Sequence, residues 1–118
     1  MPGPNTWKWC GHAHHFCAAD RCRWHLATFV ANGTIVVSSV GDYWYNNKRQ
    51  TLGVGPDSWY ETFVFRTDPT HLDDGCPTVI SFDEIDSVRY ATVDDANNGH
   101  AALCKVYNLW TEEEQPCP

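Results

Sequence analysis

The sequence predicts an α+β domain, a small antiparallel β-sheet with one C-terminal helix packed across it and a zinc ion stapling the two together. Three observations predict it. Residues 23–31 and 34–40 are rich in Val, Ile, Thr and Phe, and Asn32-Gly33 lies between them. Residues 58–67 alternate strictly, with Trp59, Glu61, Phe63 and Phe65 on one side and Tyr60, Thr62, Val64 and Arg66 on the other. Near the C-terminus the period changes. Ala96, His100, Leu103, Tyr107 and Trp110 fall at helical spacing and give one face to lay on a sheet.

Taken in order, the first two strands form a hairpin whose Asn32-Gly33 centre suits a type I′ turn, since both residues tolerate positive φ. Gly41-Asp42 ends the second strand. Residues 43–56 hold Asn46-Asn47, two glycines and a proline, and read as a loop with a short strand inside it. Asp68-Pro69 and the run Asp73-Asp74-Gly75-Cys76-Pro77 mark a turn-rich connection. Residues 78–82 and 87–93 are two further short strands. Asp94 or Asp95 caps the helix, where a carboxylate meets free amides and the positive end of the dipole. Gly99 weakens its first turns by about 1 kcal/mol relative to Ala, so the helix is expected to begin as late as Gly99.

All 118 residues read as a single domain, with tails 1–7 and 111–118 expected to fray. Six Trp, five Tyr and five Phe supply more apolar surface than a disordered chain carries. No apolar run approaches the roughly 20 residues of a membrane helix, and the first residues lack the basic and apolar regions of a signal peptide. The net charge of −7 is unevenly placed. Residues 1–56 carry five basic groups against Asp20 and Asp42, a net of +3. Residues 57–118 carry Arg66, Arg89 and Lys105 against thirteen carboxylates, a net of −10.

Six Cys and six His crowd together unevenly as well. Cys10, His12, His14, His15, Cys17, Cys22 and His25 lie within sixteen residues, and His100 and Cys104 form a second group. Thiolate and imidazole are the donors tetrahedral zinc takes. On a helix, residues four apart leave the same face one turn apart, which is how a helix gives two ligands to one ion. Cys10, Cys22, His25, His100 and Cys104 are therefore the expected zinc ligands, with His12 and His15 as weaker candidates. If strand geometry holds from Cys22, it and His25 point to opposite faces, and only one of the two can bind without a bend. Cys17, His14, Cys76, His71 and Cys117 are set aside; Cys76 and Cys117 each precede a proline and read as inert thiols or a late disulfide.

These residues also carry a resemblance. The runs Cys10-Gly11-His12-Ala13-His14-His15-Phe16 and Cys22-Arg23-Trp24-His25-Leu26-Ala27-Thr28 resemble the opening of a family of short uncharacterised proteins of tailed bacteriophages and prophages. The resemblance continues through Val37-Ser38-Ser39-Val40-Gly41-Asp42, Tyr60-Glu61-Thr62-Phe63-Val64-Phe65 and Gly99-His100 followed by Cys104, covering residues 8 to 107. Cys10, His12, His15, Cys22, His25, His100 and Cys104 fall on the family's Cys and His positions, whereas Cys17 falls where the family tends to have an aliphatic residue. The resemblance implies a phage origin, a cytoplasmic setting in an infected bacterial host and reduced thiols. It carries no activity.

The first functional expectation is a non-enzymatic accessory protein with structural zinc that binds a host protein, as an inhibitor of host machinery or defence. Tyr43, Trp44, Tyr45 and Trp59 are its expected contact residues, because aromatics in or beside loops often anchor interfaces. The alternative is a zinc-dependent hydrolase or deaminase with Glu61 or Asp42 as general base. Against it, the chain has no HExxH run and no H-x-E with a downstream C-x-x-C. Nucleic-acid binding through Lys8, Arg21, Arg23, Lys48, Arg49 and the tryptophans is disfavoured by the overall charge.

Overall fold

A computed structural model describes residues 8–10, 21–52, 55–73 and 75–108, with residues 8–10 and Asp73 described by backbone alone. The strands are β1 (Lys8–Cys10), β2 (Cys22–Val30), β3 (Ile35–Tyr45), β4 (Lys48–Gln50), β5 (Tyr60–Asp73), β6 (Cys76–Val79) and β7 (Asp86–Tyr90). One helix, α1 (Val93–Asn108), follows. Every described pairing is antiparallel: β1, β2, β3, β5 and β6 lie in that order, β4 adds to β3, and β7 adds to β5. The expected architecture of an antiparallel sheet with one C-terminal helix is what forms.

β3 is the centre of the sheet, and its composition explains why. Ile35, Val36 and Val37 are all buried, so both faces of the strand are covered. On one face α1 packs against Val30, Ile35, Val37 and Val64 through Cys104 and Tyr107. On the other, Ala27, Phe29, Val36, Phe65 and Cys76 form a second cluster. Side chains of this size contribute roughly 1.5–3 kcal/mol each when fully buried. β5 and β4 share one edge of β3: β5 pairs with residues 35–41, and β4 pairs with residues 43–45. Asp42, at φ 55°, marks the handover between them.

The turns differ from expectation in an instructive way. Val30 pairs with Ile35, which leaves four residues between β2 and β3 rather than two. Ala31, Asn32 and Gly33 all take positive φ, and Thr34 closes the turn by donating its hydroxyl to the Ala31 carbonyl at 2.7 Å. The two-residue turn forms instead at Asn46-Asn47, both at positive φ, between Tyr45 and Lys48. Asp68-Pro69 does not end β5 either. The strand runs on through an irregularity between Asp68 and Leu72 to pair with β6, because a proline is tolerated where the ladder is already broken.

α1 begins six residues before Gly99, and its cap is Thr92, whose hydroxyl accepts from the Asp95 amide at 3.1 Å. Asp94 and Asp95 sit in the first turn, where their charge suits the dipole. Gly99 has a packing reason. A Cβ there would run into the hydroxyl and ring of Tyr90, so the glycine lets helix and sheet approach closely. Among the described residues no helix is long and apolar enough to cross a membrane.

Candidate functional site

The contact between α1 and the sheet holds a line of polar groups. His100 is only 1% exposed, and its two ring nitrogens both face hydroxyls: Nδ1 meets Ser39 Oγ at 2.5 Å, and Nε2 meets Thr28 Oγ1 at 2.8 Å. Ser39 Oγ also lies 2.6 Å from Thr62 Oγ1. Thr62 in turn bonds the Tyr90 hydroxyl, and Thr28 bonds the Cys104 thiol. The line is satisfied with its protons running in either direction, both with a neutral imidazole, and one of the two is as follows. Tyr90 donates to Thr62, Thr62 to Ser39, Ser39 to Nδ1, Nε2–H to Thr28, and Thr28 to Cys104. This needs a neutral imidazole. Burial supplies one, pushing the His100 pKa down to about 4. Burial likewise pushes the Cys104 thiol up to about 11, with the Thr28 bond partly offsetting it.

This geometry bears directly on the expected zinc ligands. His100 and Cys104 do share one buried helix face, as their spacing requires. However, both His100 nitrogens are engaged by hydroxyls, and Cys104 is held as a thiol in an apolar cluster. Cys22 is a buried cysteine outside any disulfide, packed with Val40 and Leu52 in a different cluster. His25 stands opposite Val40, and its Nδ1 is buried with no hydrogen-bond partner among the described residues. Among the described residues no three Cys, His, Asp or Glu side chains converge on a point where a metal could sit. Backbone pairing sets Cys10 opposite Ala27; its side chain, with His12 and His15, lies outside the described residues. Cys76 is disulfide-bonded to a cysteine outside the described side chains, so of the two readings left open for it the bridge is the one that forms.

Glu61 and Asp42, the expected bases, have separate surroundings. Glu61 is 3% exposed, and Arg89 Nε lies 3.7 Å from its carboxylate. Desolvation pushes its pKa up, and the Arg89 charge opposes that. Asp42 is committed to structure: one carboxylate oxygen accepts from Trp44 Nε1 at 2.9 Å and from Arg49 Nε at 2.8 Å. A hollow of about 250 Å³ lies elsewhere, lined by Phe29, Asn32, Gly33, Pro69, Leu72 and others of an apolar kind. Neither base is among the residues that line it.

The end of the sheet where β4 joins β3 is a second distinctive region. Arg23 lies over the Trp44 ring at 4.0 Å from its centroid, and Arg21 lies over Tyr45 at 5.1 Å. Arg49 lies over Trp59 at 4.7 Å and donates to the Tyr60 hydroxyl at 3.1 Å. Such contacts draw a guanidinium to the negative face of the ring. Trp44, Tyr45 and Trp59 thus each carry an arginine at this end of the sheet, with Trp44 and Tyr45, as neighbours in β3, on opposite faces and Tyr45 45% exposed. Tyr43, grouped with them from sequence, packs inward against Cys22, Val40 and Leu52. From sequence these arginines group with tryptophans only as a disfavoured nucleic-acid surface, not with Trp44, Tyr45 and Trp59. Strand register brings them to this end of the sheet, since Cys22, between Arg21 and Arg23, faces Tyr43, and Arg49 faces Trp44.

No family model, no curated protein and no solved structure matches this chain.

Proposed function

We propose that this protein is a small, non-catalytic accessory protein that acts by binding another protein through the β3–β4 end of its sheet, with a host protein of an infected bacterium as the partner. The observation that carries the reading is the set of stacks Arg23–Trp44, Arg21–Tyr45 and Arg49–Trp59. Aromatic and arginine side chains dominate binding energy where they can be desolvated together, and here they are held in place before any partner arrives. Inhibition of host machinery or defence is the role such a protein would play in that setting.

Zinc is a second part of the reading. Among the described residues, His25 is the donor with a buried nitrogen left to satisfy. The setting carries one tension: the bridge at Cys76 is the state that oxidising compartments favour, whereas Cys22 and Cys104 are not disulfide-bonded. Native mass spectrometry of freshly isolated chain, before and after chelation, reads both the metal and the bridge.

A zinc hydrolase or deaminase is the alternative, and the burial and raised pKa of Glu61 favour it. Its test is Glu61→Gln, which should abolish any hydrolytic activity while leaving the fold and metal content intact. The binding reading is tested by capture from a bacterial lysate with the wild-type chain and with Trp44→Ala. A stoichiometric partner lost in the variant supports it; equal capture by both chains contradicts it.

A further inference from the structure

Resting on the reading that the β3–β4 end binds a protein, we infer that what it binds there is an acidic segment, whose carboxylates are taken by the guanidinium groups of Arg21 and Arg23. Both arginines are exposed, and neither has a carboxylate within ion-pair distance among the described residues. Arg49 differs, because Asp42 already neutralises it. Lys48, opposite Tyr45 in the hairpin, adds a third exposed cation beside the Arg21–Tyr45 stack. A guanidinium fixed on a ring presents its N–H edge as a fork that matches a carboxylate in two-point contact. Holding that rotamer in advance lowers the ordering cost of binding.

Charge complementarity sets the class of partner. The chain has 15 acidic groups against 8 basic, yet one end of the sheet carries Arg21 and Lys48 beside Tyr45 and Arg23 over the adjacent Trp44. A long polyanion would meet the acidic remainder of the molecule, whereas a short acidic segment meets only this end. The stacking also disfavours a nucleic-acid strand. Bases need open ring faces, and guanidinium groups already lie over Trp44, Tyr45 and Trp59.

The test is fluorescence anisotropy with labelled octaglutamate and a labelled twelve-residue oligothymidylate at low and physiological salt. Octaglutamate should bind wild-type chain and weaken with salt, and the double variant R21A/R23A should weaken it at least tenfold with an unchanged melting temperature. R23K keeps the charge but loses the fork, and should weaken binding measurably. Tighter binding of the oligonucleotide, no binding of octaglutamate, or equal binding by R21A/R23A or R23K would overturn the inference. Should R21A/R23A fail to fold, R21A and R23K are read singly. If Trp44→Ala abolishes lysate capture while R21A/R23A leaves it intact, the acidic-segment inference fails and the protein-binding reading stands. If octaglutamate binding follows the arginines while capture ignores Trp44, the reverse holds.

Discussion

His100 and Ser39 stand 61 residues apart in the chain and 2.5 Å apart in the fold, and their contact joins the helix to the middle of the sheet. A histidine at that place reads from sequence as a metal ligand. In the fold it is a buried, neutral hydrogen-bonding group with a hydroxyl on each nitrogen. The consequence is a pH dependence of stability. The folded pKa of about 4 lies below the ordinary 6.5, so the unfolded chain takes up the proton more readily. The stabilising contribution is fully present above pH 6.5 and is lost as pH falls toward 4; that difference corresponds to about 3 kcal/mol at most. Thermal melts from pH 7.5 to 4.5 should show a falling melting temperature, and His100→Gln should flatten the part of the slope below 6.5. An identical slope in the variant would contradict the account of His100.

Gly99→Ala tests the close approach of helix and sheet. The new methyl must displace the Tyr90 ring, and overpacking of this kind costs about 1–3 kcal/mol. In a Tyr90→Leu background the penalty of Gly99→Ala should shrink, and a double-mutant cycle measures by how much. Additive effects of the two changes would show that the two residues do not meet.

The thiols give a third prediction. Cys22 and Cys104 are buried and not disulfide-bonded, so an alkylating reagent should reach them only when the chain unfolds. Cys76 should react only after reduction. Cys104→Ala should lower stability by about 1–2 kcal/mol, as loss of a small buried group does, and should leave metal content unchanged. Loss of a bound zinc from that variant would restore Cys104 as a ligand.

Much of the fold was legible because burial has a period. The alternation along β5 and the helical spacing of Ala96, His100 and Tyr107 both mark faces that pack. The turns were less legible. Asn32-Gly33 has the stronger chemistry for a tight hairpin, yet the pairing register makes Asn46-Asn47 the pair that turns in two residues. The site was harder still. His100 and Cys104 have metal-ligand spacing, but what satisfies them is Thr28, Ser39 and Thr62, three hydroxyls with no motif of their own. The stacks of Arg21 and Arg23 depend on rings more than twenty residues away, which no local pattern reveals.

The binding surface also makes a stability prediction. Trp44 is half-buried, and its ring is covered by Arg23 rather than by the core clusters. Trp44→Ala should therefore lower stability by no more than about 1 kcal/mol, well below the 3–5 kcal/mol typical of a core tryptophan. Chemical denaturation of the two chains measures it, and a loss in the core range would make Trp44 part of the fold.

The central claim is that the β3–β4 end is where a partner binds, and hydrogen exchange of the chain with a captured partner bound tests it most directly. The account predicts slowed exchange across residues 43–50 and around Trp59, with α1 unchanged. Protection confined to α1 or to the hollow beside Phe29 and Leu72, with none at residues 43–50, would contradict it.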